Sequence, residues 1–318
     1  MGDVQLLPVD RFGLIRRGDA IAAGWSDTMV AAAARSGDLV RVAPGVFVVA
    51  DDSHATPHGR DDLFRLRSIA VASSVRDRGA TILSHQSAAA VHRLPLLKPD
   101  DRLVHVTRNG VNGSGERGYR KVHALELAAD DIVTVDGIAV TSLARTAVDV
   151  ALEGTFAQAL TAVDAALRAG ATREAIAARL RGRRSPGSRI ARAALVHGNG
   201  LSESVGESWS RAEMIQARLA PPTLQCEHRA GGETFRSDFD WRCRLVGEFD
   251  GLHKYGRLRR QGESVADAVV REKRREDALN RSGIKVVRWI WADLEQGRVV
   301  PMLQTWLGAL DALPDLPR

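Results

Sequence analysis

Between Leu14 and Ala50 the chain is punctuated so closely that few folds can accommodate it. Leu14 to Ala23 is mixed apolar, Gly24 interrupts it, and Ser26 opens a second helical run through Arg35 by offering a hydroxyl to the free amides of the first turn. Gly37 supplies the stop. Two β-rich runs follow, Leu39-Val40-Arg41-Val42 and Val46-Phe47-Val48-Val49, joined by Ala43-Pro44-Gly45 with Pro and Gly where a tight hairpin takes them. Two short helices and then a hairpin predict a winged helix-turn-helix over residues 1–52. Such a unit lays its second helix in the major groove and its wing along the backbone, which places Arg35 and Arg41 to meet phosphates.

The remainder of the 318 residues is too long for one further compact core, so a multi-domain α/β protein is expected. No stretch approaches the roughly 18 consecutive apolar residues of a spanning helix, and Met1 to Leu6 lacks a basic start followed by an apolar run; we therefore expect no membrane association and a cytoplasmic protein. The formal net charge of +6 favours an anionic partner, of which nucleic acid is the commonest. Arginine is the default cation, since Lys98, Lys121, Lys254, Lys273 and Lys285 are the only lysines. A lysine near clustered carboxylates therefore stands out. Cys226 and Cys243 are too few for a disulfide framework and read as buried, reduced thiols, too far from other ligands for a four-ligand zinc site.

Residues 51–60 are polar with Pro and Gly and read as a linker into a second, α/β domain over 61–178. That domain alternates a helix from Leu63, a strand at 80–83, an alanine-rich helix after Ser84, strands at 103–107, 122–125, 132–135 and 138–141, and helices over 142–169 interrupted at Gly154. Arg179 to Arg192 is arginine-rich around Ser185-Pro186-Gly187-Ser188. It reads as a basic connection, with Arg183 and Arg184 as candidate phosphate contacts. Residues 193–318 form the last domain, with a helix over 203–219, strands at 224–228, 235–241 and 244–249, a helix over 264–282, a strand at 285–291 and a final helix.

Chemistry concentrates in this last domain. Asp238 and Asp240 lie on one strand and Glu248 and Asp250 on the next, and residues two apart share a side of a strand. Adjacent strands about 4.8 Å apart let such carboxylates share one hard cation, for which Mg²⁺ or Mn²⁺ is the natural choice. Like charges this close require either a bound metal or neutralising arginines.

The runs Ser237-Asp238-Phe239-Asp240-Trp241, Glu248-Phe249-Asp250-Gly251, Glu272-Lys273-Arg274-Arg275-Glu276-Asp277 and Gly283-Ile284-Lys285-Val286-Val287-Arg288-Trp289 resemble the very-short-patch-repair-like branch of the PD-(D/E)XK nuclease superfamily. The resemblance covers about residues 200–300 and implies a C-terminal restriction-endonuclease-like α/β core. It implies Glu207, Asp238, Glu248 and Asp250 as metal ligands, with Asp238, Glu248 and Asp250 also catalytic. Asp250 stands where the superfamily pattern has lysine, so Lys254 or Lys273 is the candidate for stabilising transition-state charge, with His253 as a rival proton carrier.

Gly37 to Phe47, Leu83-Ser84-His85-Gln86-Ser87-Ala88-Ala89-Ala90 and Gly137 to Asp149 resemble the AbiEi-type antitoxin family of abortive-infection systems over about residues 10–155. This resemblance implies an N-terminal winged helix that represses transcription by binding DNA, and a cognate toxin-like partner. Ser84 and His85 read as an N-cap and a helix start rather than a nucleophile and base, and Trp289 and Trp291 as core on one strand. Two functions follow from the sequence. One is a DNA-binding protein with a Mg²⁺-dependent endonuclease domain; the other is a DNA-binding transcriptional regulator whose nuclease fold is a scaffold without chemistry.

Overall fold

The computed structural model describes residues 4–74, 81–109, 113–230, 233–251, 264, 267, 273, 275 and 277–311. By contact density the chain falls into two compact units, residues 1–150 with 174–181, and residues 151–173 with 182–318. Both mix helices and sheet, as the α/β expectation requires. No helix among the described residues is long and apolar enough to cross a membrane.

The first unit opens with β1 (Ile15–Arg16), α1 (Arg17–Ala22), α2 (Asp27–Ser36), β2 (Leu39–Ala43) and β3 (Val46–Val49). The three strands pair in the order β1-β3-β2, all antiparallel, which with the two helices is the winged helix-turn-helix expected. Ile15 and Arg16 leave the helical run to join the sheet opposite Phe47 and Val46, a long-range pairing that no local pattern announces. Leu7, Ile15, Ala20, Val30, Ala33, Leu39 and Phe47 make the core beneath the two helices.

Residues 51–60 are not an open linker. Asp51 caps a short 3-10 turn, and α3 (Pro57–Ala72) begins with the Thr56 hydroxyl accepting from the Gly59 amide and Pro57 in the first helical turn, where a missing N–H costs nothing. Beyond α3 come β4 (Ile82–Leu83), α4 (His85–Val91), β5 (Val104–Arg108), β6 (Gly115–Arg117), β7 (Arg120–Ala124), β8 (Ile132–Val135), β9 (Ile138–Thr141) and α5 (Leu143–Glu153). Their strands form a six-stranded mixed sheet in the order β6-β7-β5-β4-β9-β8, with β5/β7 and β4/β9 parallel. One core joins this sheet to α3 and to the wing, through Val42, Val46 and Val48 packed with Ile69, Val71, Val106 and Val140.

The second unit contains α6 (Phe156–Arg168) and α8 (Ser188–His197), between which α7 (Arg173–Leu180) returns residues 174–181 to the first unit. Then follow α9 (Val205–Gln216), β10 (Thr223–Ala230), β11 (Glu233–Trp241), β12 (Leu245–Phe249), β13 (Lys285–Trp289), α10 (Trp291–Glu295) and α11 (Val299–Asp311). The sheet order is β10-β11-β12-β13, antiparallel until β13, which runs parallel to β12. A parallel neighbour requires a crossover, and the helical residues 277–281 lie within it.

One face of this sheet buries Phe239, Trp241, Leu245, Phe249, Val287 and Trp289 against Met214 of α9 and Leu294, Val299 and Leu303. Gly247 has no side chain because the indoles leave no room, a Cβ there falling 2.5 Å from the Trp289 ring. Trp289 is core as expected, its Nε1 donating to Ser210 Oγ at 2.7 Å. Trp291 is not on the strand. The Asp293 carboxylate accepts from the Ile290 amide at 2.9 Å, which turns the chain into α10 one residue earlier.

Candidate nucleic-acid interface and the C-terminal carboxylates

The Ser26 hydroxyl accepts from the Met29 amide at 3.2 Å, and Gly37 ends α2 in the left-handed region at φ +87°. Arg17 of α1 donates to Asp27 Oδ1 at 2.7 Å and its amide donates to the Gly45 carbonyl at 2.9 Å, so one residue ties α1 to both α2 and the wing turn. Val30 and Ala33 face the core, while Thr28, Ala31, Ala32 and Arg35 are exposed at spacings that put them on one stripe. Two alanines there leave the helix slim enough for its backbone to approach base edges, with a hydroxyl and a guanidinium at either end. Arg41 is exposed on β2 beside a bulge between Arg41 and Ala43, and its Nε reaches the Ala43 carbonyl at 3.4 Å. Both sequence-selected arginines are thus on the outside of the winged helix.

The arginine-rich segment divides between the units. Arg179, on α7, is built into the first unit, donating to Asp131 Oδ1 at 2.8 Å and to Asp130 Oδ2 at 3.0 Å. Arg183, half-buried, and Arg184, exposed, lie in the second unit between α7 and α8. The Arg183 carbonyl there accepts from Arg192.

Sequence reasoning missed the most polar part of the first unit's interior. His85, His105 and His123 are all buried, and His105 Nδ1 lies 3.1 Å from His123 Nε2. The Ser84 hydroxyl does not cap α4; it bonds His85 Nδ1 at 3.0 Å. Three histidines whose donor atoms lie within 4.8 Å of one another invite a metal. The His85 and His123 rings, however, stack at 3.7 Å and 14°, and in-plane lone pairs of parallel rings do not converge on one ion. The trio reads as hydrogen-bonded polar core. Burial first, and then the charges of His123, His105, Lys121 and Arg145, hold the His85 pKa well below its usual 6.5. In the fold His85 is therefore neutral, whereas the unfolded chain takes up a proton near pH 6.5, so stability is lost as pH falls below that value. The expected slope from His85 is about 1.4 kcal/mol per pH unit below pH 6.5. Urea unfolding between pH 7 and pH 5 measures it, and stability that rises on acidification contradicts a buried neutral imidazole.

In the second unit, Glu207 is buried in the first turn of α9. Its carboxylate accepts from Ser204 Oγ at 2.8 Å, the Glu203 amide at 2.8 Å and Gln225 Nε2 at 3.0 Å. Burial, and then the negative charge of Asp238, push its pKa above the usual carboxylate value. The structure thus brings these two acids together from a helix and a strand. Asp238 lies one residue beyond the last β11/β12 pair, Phe239 with Gly247, and its Oδ2 accepts from the Phe249 amide at 2.9 Å. A side chain thus takes the ladder position where the two strands part.

Glu248 is placed differently. It is buried and stands in register with Arg288 on β13. Arg288 Nε donates to it at 3.1 Å and Arg275 donates to both of its oxygens. Asp250, half-buried, donates its amide to the Trp289 carbonyl at 2.8 Å. Lys273 is exposed, and Lys254 and His253 lie outside the described residues. The arginine neutralisation weighed from the sequence as an alternative to metal is therefore the environment of Glu248. Glu207 and Asp238 are donors that suit a hard cation; Glu248, with its charge already matched by two guanidinium groups, does not.

Comparison with known proteins bears mainly on the first unit. Residues 7–50 match the family described as "Transcriptional regulator, AbiEi antitoxin", and residues 77–196 match the "AbiEi antitoxin C-terminal domain". Two uncharacterized proteins of Mycobacterium tuberculosis are each 35% identical over 161 residues, 45% of this chain and 59% of the relative. The chain therefore spans about three fifths of the length of the curated relatives it matches.

Proposed function

We propose that this chain is a DNA-binding transcriptional regulator of the AbiEi antitoxin type, reading duplex DNA with α2 in the major groove and the β2/β3 wing on the backbone. The observation that carries the reading is the coincidence of the residue 7–50 match with a winged helix whose α2 presents Thr28, Ala31, Ala32 and Arg35 outward. Arg41 supplies a wing phosphate contact, and Arg183 and Arg184 add non-specific backbone contacts from the second unit. A cognate toxin-like protein is the partner that the matched families imply.

The endonuclease reading is favoured by one specific feature, the meeting of Glu207 and Asp238 beside a β10-β11-β12-β13 sheet with a parallel last strand. Against it stand the two arginines on Glu248 and an acid, Asp250, at the position of the superfamily lysine. A Mg²⁺ ion would polarise a phosphodiester and supply an activated water, but Glu248, matched by Arg275 and Arg288, does not join Glu207 and Asp238 in a set that receives it. Supercoiled plasmid incubated with the purified chain in Mg²⁺ or Mn²⁺ separates the two readings. The regulator binds the plasmid and leaves it intact; nicking that disappears in Asp238→Ala and Glu248→Ala would instead make the domain a nuclease.

A further inference from the structure

We propose that Cys226, His228, Asp240 and Cys243 bind a zinc ion that fastens the β10/β11 hairpin to the turn leading into β12. The sequence alone predicts buried thiols too far from other ligands to hold a metal. In the fold Cys226 is half-buried, Cys243 is exposed, both are free, and the sheet register assembles a donor set around them. Cys226 and His228 are two apart on β10 and so share a side of the strand, and β11 pairs with them antiparallel. The donor atoms of Cys226, His228 and Asp240 lie within 4.8 Å of one another. The Cys243 thiol neighbours that of Cys226, outside this group of three, and would be the fourth ligand.

The second observation is an orphaned oxygen. Asp240 is 4% exposed, and among the described residues its Oδ2 has no hydrogen-bond donor, although a buried carboxylate oxygen costs heavily without one. Its Oδ1 accepts from the Cys243 amide at 3.1 Å, which fixes the carboxylate and leaves Oδ2 aimed at His228 Nε2, 3.6 Å away. That separation is close to the roughly 3.3 Å between nitrogen and oxygen ligands about 2.0 Å from a tetrahedral zinc. His228 Nε2 also lies 2.9 Å from the Ser237 hydroxyl, which has the Cys226 carbonyl as an alternative acceptor at 3.5 Å and so can release the ring to a metal.

The turn that delivers Cys243 supports the assignment. Arg242 and Cys243 occupy left-handed conformations at φ +57° and +54°, a geometry that glycine or asparagine takes more readily. Two sulfurs, an imidazole and a carboxylate are a borderline-soft set of four, which suits Zn²⁺ and suits Mg²⁺ poorly. Binding releases the thiol protons and gives Asp240 Oδ2 a partner.

The test is made on the full chain, purified without a histidine tag and with its thiols reduced. Elemental analysis is expected to find about one zinc per chain. Replacement by Co²⁺ should give the visible bands of a tetrahedral ion together with thiolate-to-cobalt charge transfer, which reports sulfur ligands and ignores the histidine trio. Cys226→Ser and Cys243→Ser should each lower the charge-transfer band by about half or more, and the double variant should abolish it, whereas His85→Gln should keep it. If the serine variants fail to fold, zinc protection of both wild-type thiols from a thiol reagent, reversed by chelator, is the same test without a variant. A reduced protein that binds neither ion, a bound metal that leaves both thiols reactive, or a Cys226–Cys243 disulfide in place of metal would each overturn the proposal.

Discussion

Arg145→Ala is expected to destabilise the first unit by about 3–5 kcal/mol, enough to unfold a marginal domain at growth temperature. Arg145 is 2% exposed, and three acceptor groups surround its guanidinium. Nε donates to Asp149 at 2.9 and 3.1 Å, one turn along α5, and Nη1 donates to Asp131 at 2.8 Å and to the Glu126 carbonyl at 3.3 Å. Removing the arginine takes from the Asp149 carboxylate, 1% exposed, the guanidinium that donates to both of its oxygens in a low dielectric. Asp131 keeps Arg179. The damage should therefore fall on Asp149, and Arg145→Ala combined with Asp149→Ala should recover part of the loss. Urea unfolding of both variants reads this, and an unchanged midpoint in Arg145→Ala would show that the network contributes little.

The second large effect belongs to the other unit. Asp164 on α6 is fully buried and accepts from the Asn199 amide at 2.7 Å, Ser208 Oγ at 2.8 Å and Arg211 Nη1 at 2.5 Å. It ties α6 to α9, which carries Glu207 immediately before Ser208 and one turn before Arg211. Asp164→Ala takes the carboxylate from Arg211, 8% exposed, and removes the acceptor of the Asn199 amide, so a loss of about 3–5 kcal/mol is expected. Asp164→Asn keeps the shape but not the charge and should fall between wild type and alanine. Alanine and asparagine variants of equal stability in thermal unfolding would mean that charge is not what the site requires.

What the sequence made legible was local. Ser26, Gly37 and Pro44-Gly45 each act within a turn of chain, so the helix, its stop and the hairpin were readable in order. Gly154 and Gly170 likewise bounded α6. The failures are of two kinds. Thr56-Pro57 carries a cap and a helix start, but the polar run around it hides the signal, and the apolar pattern alone starts α3 only at Leu63. Ile15 in β1 is decided by a tertiary partner, whereas the turn at Ile290 rests on Asp293 three residues on, a local cap masked by the β-rich run before it.

The carboxylates show the same boundary. That Asp238 and Glu248 sit on adjacent strands followed from alternation and a short connection. That Glu207 meets Asp238 followed from the family resemblance alone. The arginines on Glu248 come from 27 and 40 residues further along the chain, and nothing in local spacing selects Arg275 and Arg288 from 40 arginines. The cysteine group was legible in principle as Cys226-x-His228 and Asp240-x-x-Cys243, two short pairs whose meeting depends on hairpin register. The histidine trio has no such signature, because His85, His105 and His123 come from three separate elements.

The account stands most directly on the salt dependence of duplex binding by the full chain, followed by fluorescence anisotropy for wild type and for Arg35→Ala/Arg41→Ala. Both side chains are exposed, so the variant folds and any change is a change in binding. The predicted result is that the wild type binds duplex DNA with an affinity falling linearly in log salt. The double variant should bind about 30- to 100-fold more weakly, with a slope shallower by about 2, one for each lost phosphate contact. Equal affinity and equal slope for the two proteins would contradict a winged helix that reads DNA with α2 and its hairpin.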